Sequence, residues 1–244
     1  MSSLKEYIKD GVNYGSYLET QSSYYFFGNK NFTEEHFSFF AGIDFVLLKQ
    51  THSDVSFSQT LADAKNKTNS RKIGDAQFTN DKRLAMVVQT ADCLPILGSD
   101  GKTAIAIHAG WRGIANYVTT KTLLHAQEDN NLEKPLFIIG PHILQKSFEV
   151  DEDAASLLKA VCMPAPKCAV DASIEYDSDY FFYDEQKKKY FFDLQKIAET
   201  QISSVMRSPF TLEKSSTDTF TDSNYSSFRR LKSPCRNWSF VYLK

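Results

Sequence analysis

The sequence of 244 residues lacks several features that would place a protein in a broad class at once. Its most apolar window, FFAGIDFVLL, is short and contains Asp44, so we expect no membrane-spanning helix. The segment MSSLKEYIKDG has no apolar core of the length that a signal peptide needs. The 28 Lys and Arg nearly balance the 30 Asp and Glu. The chain therefore has no excess of positive charge that would indicate a nucleic acid or an anionic membrane as a partner.

Cysteine is sparse and irregularly spaced. The four cysteines, Cys93, Cys162, Cys168 and Cys235, form no CxxC pair. Such spacing in a chain of this length is not typical of a disulfide scaffold. We therefore expect a reducing cytoplasmic location, which leaves the thiols available for packing or for chemistry.

Apolar patterning predicts the secondary structure. Strands are predicted within 45–52, 83–97, 103–110 and 135–143, with a polar break at the centre of the second range. Helices are predicted from Gly113 to about Gln127 and over the stretches DEDAASLLKAV and LQKIAETQISSVM. The stretch DYFFYDEQKKKYFFD predicts a hairpin whose turn carries Lys187–Lys189. We expect a mixed α/β fold, with residues 1–244 forming a single layered domain around a central mixed sheet flanked by helices.

Polar residues with metal-ligand chemistry end three of these apolar runs. His52 ends FVLLKQTH, Cys93 follows MVVQTAD, and His108 ends TAIAIH. Residues at neighbouring strand ends lie together on one edge of a sheet. Two histidines and one cysteine match a catalytic zinc centre, which uses three protein ligands and keeps one position open. The competing interpretation is that the histidines are satisfied polar residues and the cysteine a small apolar residue.

The stretch AIAIHAGWRGIA adds an anion-binding pattern. Arg112 follows Gly110 at a predicted helix start, where backbone N–H groups and a guanidinium bind phosphate well. Trp111 stacks on a base or packs in the core. Asp92 and Asp75 are candidate proton-transfer or hydrogen-bonding groups, and turn formation and helix capping are their alternative roles.

Five stretches together resemble one known family. LKQTHSD, GDA, TADCLPIL, IHAGWRGIA and IGPHI with the later FEV are similar to the YfiH-type laccase-domain family. Proteins of that family have been described as polyphenol oxidases, as purine nucleoside phosphorylases and as peptidoglycan editing factors. The resemblance is strong over about 45–150 and weaker in the C-terminal part.

The resemblance implies roles for particular residues. It places the family's metal ligands on His52, Cys93 and His108, in agreement with the strand-end argument. It implies zinc-dependent phosphorolysis of adenosine, inosine, guanosine and methylthioadenosine, deamination of adenosine, and a single α/β domain similar to Cys–His deamidating toxins. The family's glycine after the first histidine is Ser53 here, and its Cys-Thr pair before the C-terminal section reads STDTF.

A working mechanism follows from these assignments. For deamination, zinc activates a water towards C6 of the purine, and Asp92 or Asp75 moves the proton. For phosphorolysis, Arg112 holds phosphate against the ribose C1′, with Arg229 and Arg230 as weaker phosphate candidates.

Three other functions remain open at this point. Cys93 with His108 as its base would make a hydrolase or deamidase that uses no metal. Copper-dependent phenol oxidation is disfavoured, because a multicopper site needs about ten ligands, mostly histidines, and the chain has five histidines. A non-catalytic module with a closed zinc site would need a fourth ligand such as His142 or Cys235.

Overall fold

The computed structural model describes residues 4–65, 71–128, 131–162 and 179–244. The strands are β1 (Lys5–Lys9), β2 (Val12–Glu19), β3 (Ser23–Gly28), β4 (Asp44–Val46), β5 (Ser56–Ser58), β6 (Ala76–Thr79), β7 (Leu84–Thr90), β8 (Leu94–Ser99), β9 (Ala104–Ala109), β10 (Leu136–Ile139), β11 (Glu149–Val150), β12 (Phe181–Asp184), β13 (Lys189–Phe192), β14 (Thr211–Lys214) and β15 (Asn237–Leu243). The helices are α1 (Leu61–Lys65), α2 (Trp111–Ala115), α3 (Val118–Ala126), α4 (Glu152–Cys162), α5 (Leu194–Val205) and α6 (Phe228–Leu231), with 3₁₀ turns at Glu34–Phe39 and Gln145–Ser147. Cys168 lies outside the described residues.

The strands form two large sheets and one small one. The first sheet has the order β1-β2-β3-β15-β7-β4, and the second has the order β14-β10-β8-β9-β6-β5. The pairs β4–β7, β10–β14 and β5–β6 are parallel, and the other pairs in these two sheets are antiparallel. The third sheet, β11-β13-β12, contains the predicted hairpin. The mixed α/β class is confirmed, with its strands divided between two six-stranded sheets where one central sheet was expected.

Residue alternation along β9 shows how the layers pack. Ile105 and Ile107 face the helices α2 to α5, in a core that those helices share with the second sheet. Ala104 and Ala106 face the other way, into a core formed with Met86 and other residues of the first sheet. The small alanines let the two sheets approach closely. The result is a sandwich of two sheets with helices covering the outer face of the second.

Two predicted elements differ from the structure. The strand expected over 45–52 ends at Val46, and the chain then leaves the sheet. The Gln50 side chain instead bonds both backbone groups of Gln89 on β7. The helix expected from Gly113 to Gln127 is divided into α2 and α3 at Tyr117, whose φ of 60° is left-handed. Along the described ranges, no helix has the length and apolar character needed to cross a bilayer.

Candidate metal centre

The three predicted ligands meet at one end of the sandwich. The β9 alternation turns His108 towards the first sheet, and Cys93 lies where the chain passes from β7 in one sheet to β8 in the other. His52 lies on the loop between β4 and β5. The ligand atoms of all three lie within 4.8 Å of one another, and the Cys93 Sγ is 3.7 Å from His52 Nε2. The three side chains that were expected to lie together do so, although His52 lies on a loop and not at a strand end.

A buried carboxylate, Asp75, holds two of these ligands in place. Its Oδ1 accepts hydrogen bonds from the His52 backbone N–H at 2.9 Å and from His108 Nδ1 at 2.7 Å. Its Oδ2 accepts the backbone N–H groups of Thr51 and Ser53 and the Ser53 hydroxyl. Three successive N–H groups around one carboxylate stabilise the left-handed backbone of His52, whose φ is 61°. The bond to Nδ1 leaves His108 Nε2 as the ligand atom.

The ionisation of the site favours a thiolate. Burial opposes charge on Cys93, but the positive charge of His108 and hydrogen bonds from both imidazoles lower the pKa of the thiol to about 6. Burial also opposes charge on His108, but the Cys93 thiolate and the Asp75 carboxylate raise its pKa to about 9. Asp75 is desolvated as well, and its hydrogen bonds from His108 and Ser53 hold its pKa below the usual range. The thiolate is the form of cysteine that binds metals.

Gly110 gives the ligands the room that they occupy. A Cβ at this position would lie 2.7 Å from His52 Cδ2 and 3.1 Å from the Cys93 Sγ. The first distance is shorter than packed carbon atoms allow. This glycine of the HAGWRG stretch therefore allows the backbone of the turn into α2 to pack directly against two ligands.

Asp92 connects the ligand loop to the C-terminal part of the chain. Its φ of 88° is rare for a residue with a side chain. The Thr219 hydroxyl and the Arg229 backbone N–H donate to its two carboxylate oxygens at 2.9 and 2.7 Å, and its carbonyl accepts the Ile143 N–H. These bonds stabilise the strained backbone beside Cys93 and fix the first turn of α6 at the site.

The ligands line a pocket of about 680 Å³, a volume in the range of small-molecule sites. Its aromatic walls are Trp111, Phe148 and Phe228. Phe228 is 49% exposed, which is unusual for a large aromatic side chain. Six cationic side chains also line the pocket: Lys49, Arg71, Arg112, Arg229, Lys232 and Arg236. A pocket of this composition suits a flat aromatic ligand that comes with an anion.

The predicted anion-binding residues have different positions. Arg112 lines the pocket and stacks on Trp111, 4.3 Å from the ring centre to Cζ. Arg229 also lines it and donates to the Glu149 carbonyl. Arg230 does not line this pocket, because its guanidinium donates to four backbone carbonyls, those of Thr219, Phe220, Asp222 and Tyr225. The prediction that Arg230 binds phosphate is corrected accordingly, since its donors hold that loop.

The two predicted acids also have different positions. Asp92 is on the pocket wall, and Asp75 lies behind His108 with its side chain fully buried. The expectation that Asp75 exchanges a proton with substrate is corrected by this placement. Its position makes it the residue that orients His108.

The donor set fits a metal ion with an open position. Within the described ranges, His52, Cys93 and His108 are the only group of three or more potential ligands. His142 and Cys235 are not in that group. His142 is buried, its Nδ1 bonds the Gly140 carbonyl, and burial lowers its pKa. Two imidazoles and one thiolate are donors that zinc and copper accept, and three protein ligands leave room for a water or a substrate.

Several residues of the site gave no recognisable signal in the sequence. Phe228, Lys232 and Arg236 reach the pocket from the C-terminal region. Thr219 lies in the divergent STDTF stretch, and its bond to Asp92 spans 127 residues. Ser53 was noted only as a replacement for glycine, and its hydroxyl bonds Asp75 at 2.7 Å. Motif spacing in the sequence does not reveal contacts between residues that are this far apart in the chain.

One protein-family model matches most of the chain. The family described as multi-copper polyphenol oxidoreductase laccase matches residues 27–244. That range contains every residue of the site.

Curated relatives share parts of the sequence. A purine nucleoside phosphorylase of Rickettsia conorii is 27% identical over 169 residues, which are 68% of this chain and 62% of that protein. The purine nucleoside phosphorylase YfiH of Escherichia coli is 29% identical over 174 residues, 70% of this chain and 65% of its own. The match therefore spans slightly less than two thirds of these relatives. A purine nucleoside phosphorylase of Haemophilus influenzae is 42% identical over 84 residues, 32% of each chain.

Solved structures share the fold. The hypothetical protein YfiH of Bacillus licheniformis superposes with a TM-score of 0.75 at 19% identity, over 91% of this chain and 93% of its own. YlmD from Geobacillus stearothermophilus gives 0.76 at 16% identity, over 100% and 98% of the two chains. The two-sheet architecture is therefore one already seen in these proteins.

Proposed function

The chain belongs to the multi-copper polyphenol oxidoreductase laccase family, and from that membership we propose that it is a zinc-dependent purine nucleoside phosphorylase. The observation that carries the proposal is an open His52–Cys93–His108 ligand group on the wall of a cationic, aromatic-lined pocket. The relatives that carry the name purine nucleoside phosphorylase support the choice of reaction.

The pocket residues suit the two substrates of phosphorolysis. Arg112 and Arg229 bind phosphate, and Arg guanidinium groups suit phosphate geometry. Phe228 and Trp111 are the aromatic surfaces for the purine. A phosphate oxygen forms a bond to C1′ of the ribose as the C1′–N9 bond breaks, and the base leaves with a proton. The two guanidinium groups hold the phosphate in line with C1′, which is the largest contribution these side chains make.

His52, Cys93 and His108 would hold the metal, and the surrounding residues fix the positions of these three side chains. The bond to Asp75 keeps a proton on Nδ1 of His108 when a metal displaces the proton on Nε2, and Gly110 keeps the turn against His52 and Cys93. When bound, the metal would supply Lewis acidity to the reaction.

Deamination of adenosine is the second activity that we propose. Water replaces the amino group at C6, and ammonia leaves with the proton that water gives up. Asp92 is the residue for this proton transfer, because it lines the pocket. Its carboxylate already accepts two hydrogen bonds, and a carboxylate has about four acceptor positions, so a further bond to substrate is available.

The proposed function also implies a location, substrates and a domain organisation for the enzyme. We place it in the cytoplasm, where reducing conditions keep the Cys93 thiol available as a ligand. Purine nucleoside and phosphate are its partners, and residues 1–244 form one domain.

The test joins metal content to activity in one sample. We expect about one zinc per chain and release of hypoxanthine from inosine that requires phosphate. His52→Ala should lose both, and His36→Ala, which removes an imidazole outside the pocket, should keep both. Zinc-loaded protein that releases no base from inosine or adenosine in the presence of phosphate would contradict the proposal.

One observation favours a second candidate, a thiol hydrolase or deamidase. A thiol with a pKa of about 6 beside an imidazole is the arrangement of a cysteine nucleophile. In that case Cys93 would react rapidly with iodoacetamide in the purified protein, and added zinc would inhibit the enzyme. Copper-dependent phenol oxidation has weaker support, since the described residues offer one three-ligand group and a multicopper site needs several.

A further inference from the structure

The pocket holds more unpaired positive charge than phosphorolysis of a neutral nucleoside requires. Of its six cationic residues, only Arg71 has a carboxylate partner within the described part of the chain, Glu34 at 3.4 Å. Elsewhere on the surface some lysines do have an acidic partner, as Lys214 has in Glu199. The only acid that lines the pocket is Asp92, so cationic lining residues exceed acidic ones by five.

One inorganic phosphate accounts for part of this charge. A phosphate group carries about −1.5 to −2 near neutral pH, and a purine nucleoside carries none. Unpaired cations that face one cavity repel one another, and such a cavity concentrates anions. The remaining cations therefore fit a second anionic group that enters with the substrate.

The cations fall into two sets by the contacts that they make. Arg112 lies two residues after Gly110, where an added Cβ would meet His52 and Cys93, and the Arg229 backbone N–H donates to Asp92 beside Cys93. These two belong with the reacting centre. Lys232 and Arg236 follow α6, and their side chains contact Phe228 and the turn before Arg236. The Lys232 Nζ lies 5.1 Å from the Phe228 ring centre, and Arg236 is held by the carbonyls of the turn before it.

We propose that the pocket takes a purine nucleoside 5′-monophosphate, with Lys232 and Arg236 binding the 5′-phosphate. The proposal rests on the phosphorylase function and names its substrate class. The Phe228 ring stacks on the base, and Arg112 and Arg229 bind the attacking inorganic phosphate. In the reaction a phosphate oxygen bonds C1′, the C1′–N9 bond breaks, and the base leaves with a proton. The second product is ribose 1,5-bisphosphate.

The first experiment compares inosine 5′-monophosphate with inosine as substrates of the zinc-loaded protein at fixed inorganic phosphate. We expect kcat/KM to be at least about tenfold higher for the monophosphate, the size of one or two charge-assisted hydrogen bonds. Since the effect is electrostatic, the preference should shrink as salt is added. Equal kcat/KM values for the two substrates would overturn the proposal.

Matched variants identify the residues. Lys232→Gln with Arg236→Gln should lower the preference for the monophosphate by about tenfold or more. Lys188→Gln with Arg207→Gln removes the same charge at exposed positions outside the pocket and should leave the preference unchanged. Lys232→Gln alone avoids any disturbance of the turn that Arg236 holds, and it should show part of the same loss. An identical preference in both double variants would contradict the assignment.

Calorimetry without inorganic phosphate separates this proposal from the function on which it rests. Tight binding of inosine 5′-monophosphate without turnover of either substrate would refute phosphorolysis and keep the anionic ligand. Turnover of inosine together with no binding advantage for the monophosphate would refute the anionic ligand and keep the phosphorylase. Inorganic phosphate that displaces the monophosphate fully from the Lys232→Gln variant, but only partly from the unchanged protein, supports the second phosphate subsite.

Discussion

Replacing Asp75 by asparagine tests how the metal centre is held, because the two side chains have the same shape. Both carboxylate oxygens of Asp75 accept hydrogen bonds, and every partner is a donor. The NH₂ group of an asparagine must take the place of either Oδ1 or Oδ2, and in both places it faces donors. At the Oδ2 position it would face two backbone N–H groups, those of Thr51 and Ser53. At the Oδ1 position it would face one, that of His52, together with the His108 ring.

The second orientation is therefore less unfavourable. The His108 ring relieves it by accepting at Nδ1, which moves its proton to Nε2 and removes the lone pair that the metal needs. The backbone N–H of His52 stays unsatisfied and costs about 1–3 kcal/mol. The loss of the buried charged partner of His108 lowers the free energy of unfolding further. We expect Asp75→Asn to lower the free energy of unfolding by about 2–4 kcal/mol and to weaken zinc binding by about 10–100-fold or more.

Two measurements check these values. Urea unfolding of the chelator-treated protein gives the stability, and competition with a chromophoric chelator gives the zinc affinity. Asp184→Asn is the matched control, since Asp184 accepts two backbone N–H groups in the β12–β13 turn, away from the pocket. Asparagine suits that turn, so both quantities should stay near those of the unchanged protein. If Asp75→Asn binds zinc as the unchanged protein does, Asp75 does not set the tautomer of His108.

Other substitutions test separate parts of the site. His52→Ala should remove zinc binding but change the free energy of unfolding of the chelator-treated protein by less than about 1 kcal/mol, because the side chain is exposed; a large loss of stability in urea would contradict this. Gly110→Ala places a Cβ 2.7 Å from His52 Cδ2 and should weaken zinc binding by about tenfold or more in equilibrium dialysis, unless the turn moves freely. Arg112→Gln should raise the KM for phosphate by about tenfold, while Arg207→Gln, at an exposed position outside the pocket, should not.

Local pattern was sufficient for the strands next to Cys93 and His108, but not for the segment that carries His52. The runs before Cys93 and through His108 are apolar and end in polar residues, so β7, β8 and β9 were predicted close to where they lie. The same holds for α4, α5 and the β12–β13 hairpin. What pattern did not predict is pairing between distant strands. The C-terminal β15 lies between β3 and β7 at the centre of the first sheet, and no local property of its seven residues encodes that position.

In the site, too, the sequence revealed local properties but not contacts between distant residues. His52, Cys93 and His108 were predicted because ligand chemistry is a property of the side chain itself. The sequence left Asp75 open between proton transfer and hydrogen bonding and made Arg230 a weaker phosphate candidate, because the role of a carboxylate or a guanidinium depends on its partners. Asp75 is enclosed by the N–H groups of the His52 loop, and Arg230 by carbonyls of its own loop.

The position of α6 shows why the pocket is built from both ends of the chain. Asp92 adopts a strained backbone beside Cys93, and the bonds that stabilise it come from Thr219 and from the Arg229 backbone. The same bonds bring Phe228 to the pocket. The ligand loop and the aromatic wall are therefore coupled through one carboxylate. A loss of that carboxylate should disturb the wall and the Cys93 ligand together, whereas a loss of the Phe228 ring should leave the metal centre intact.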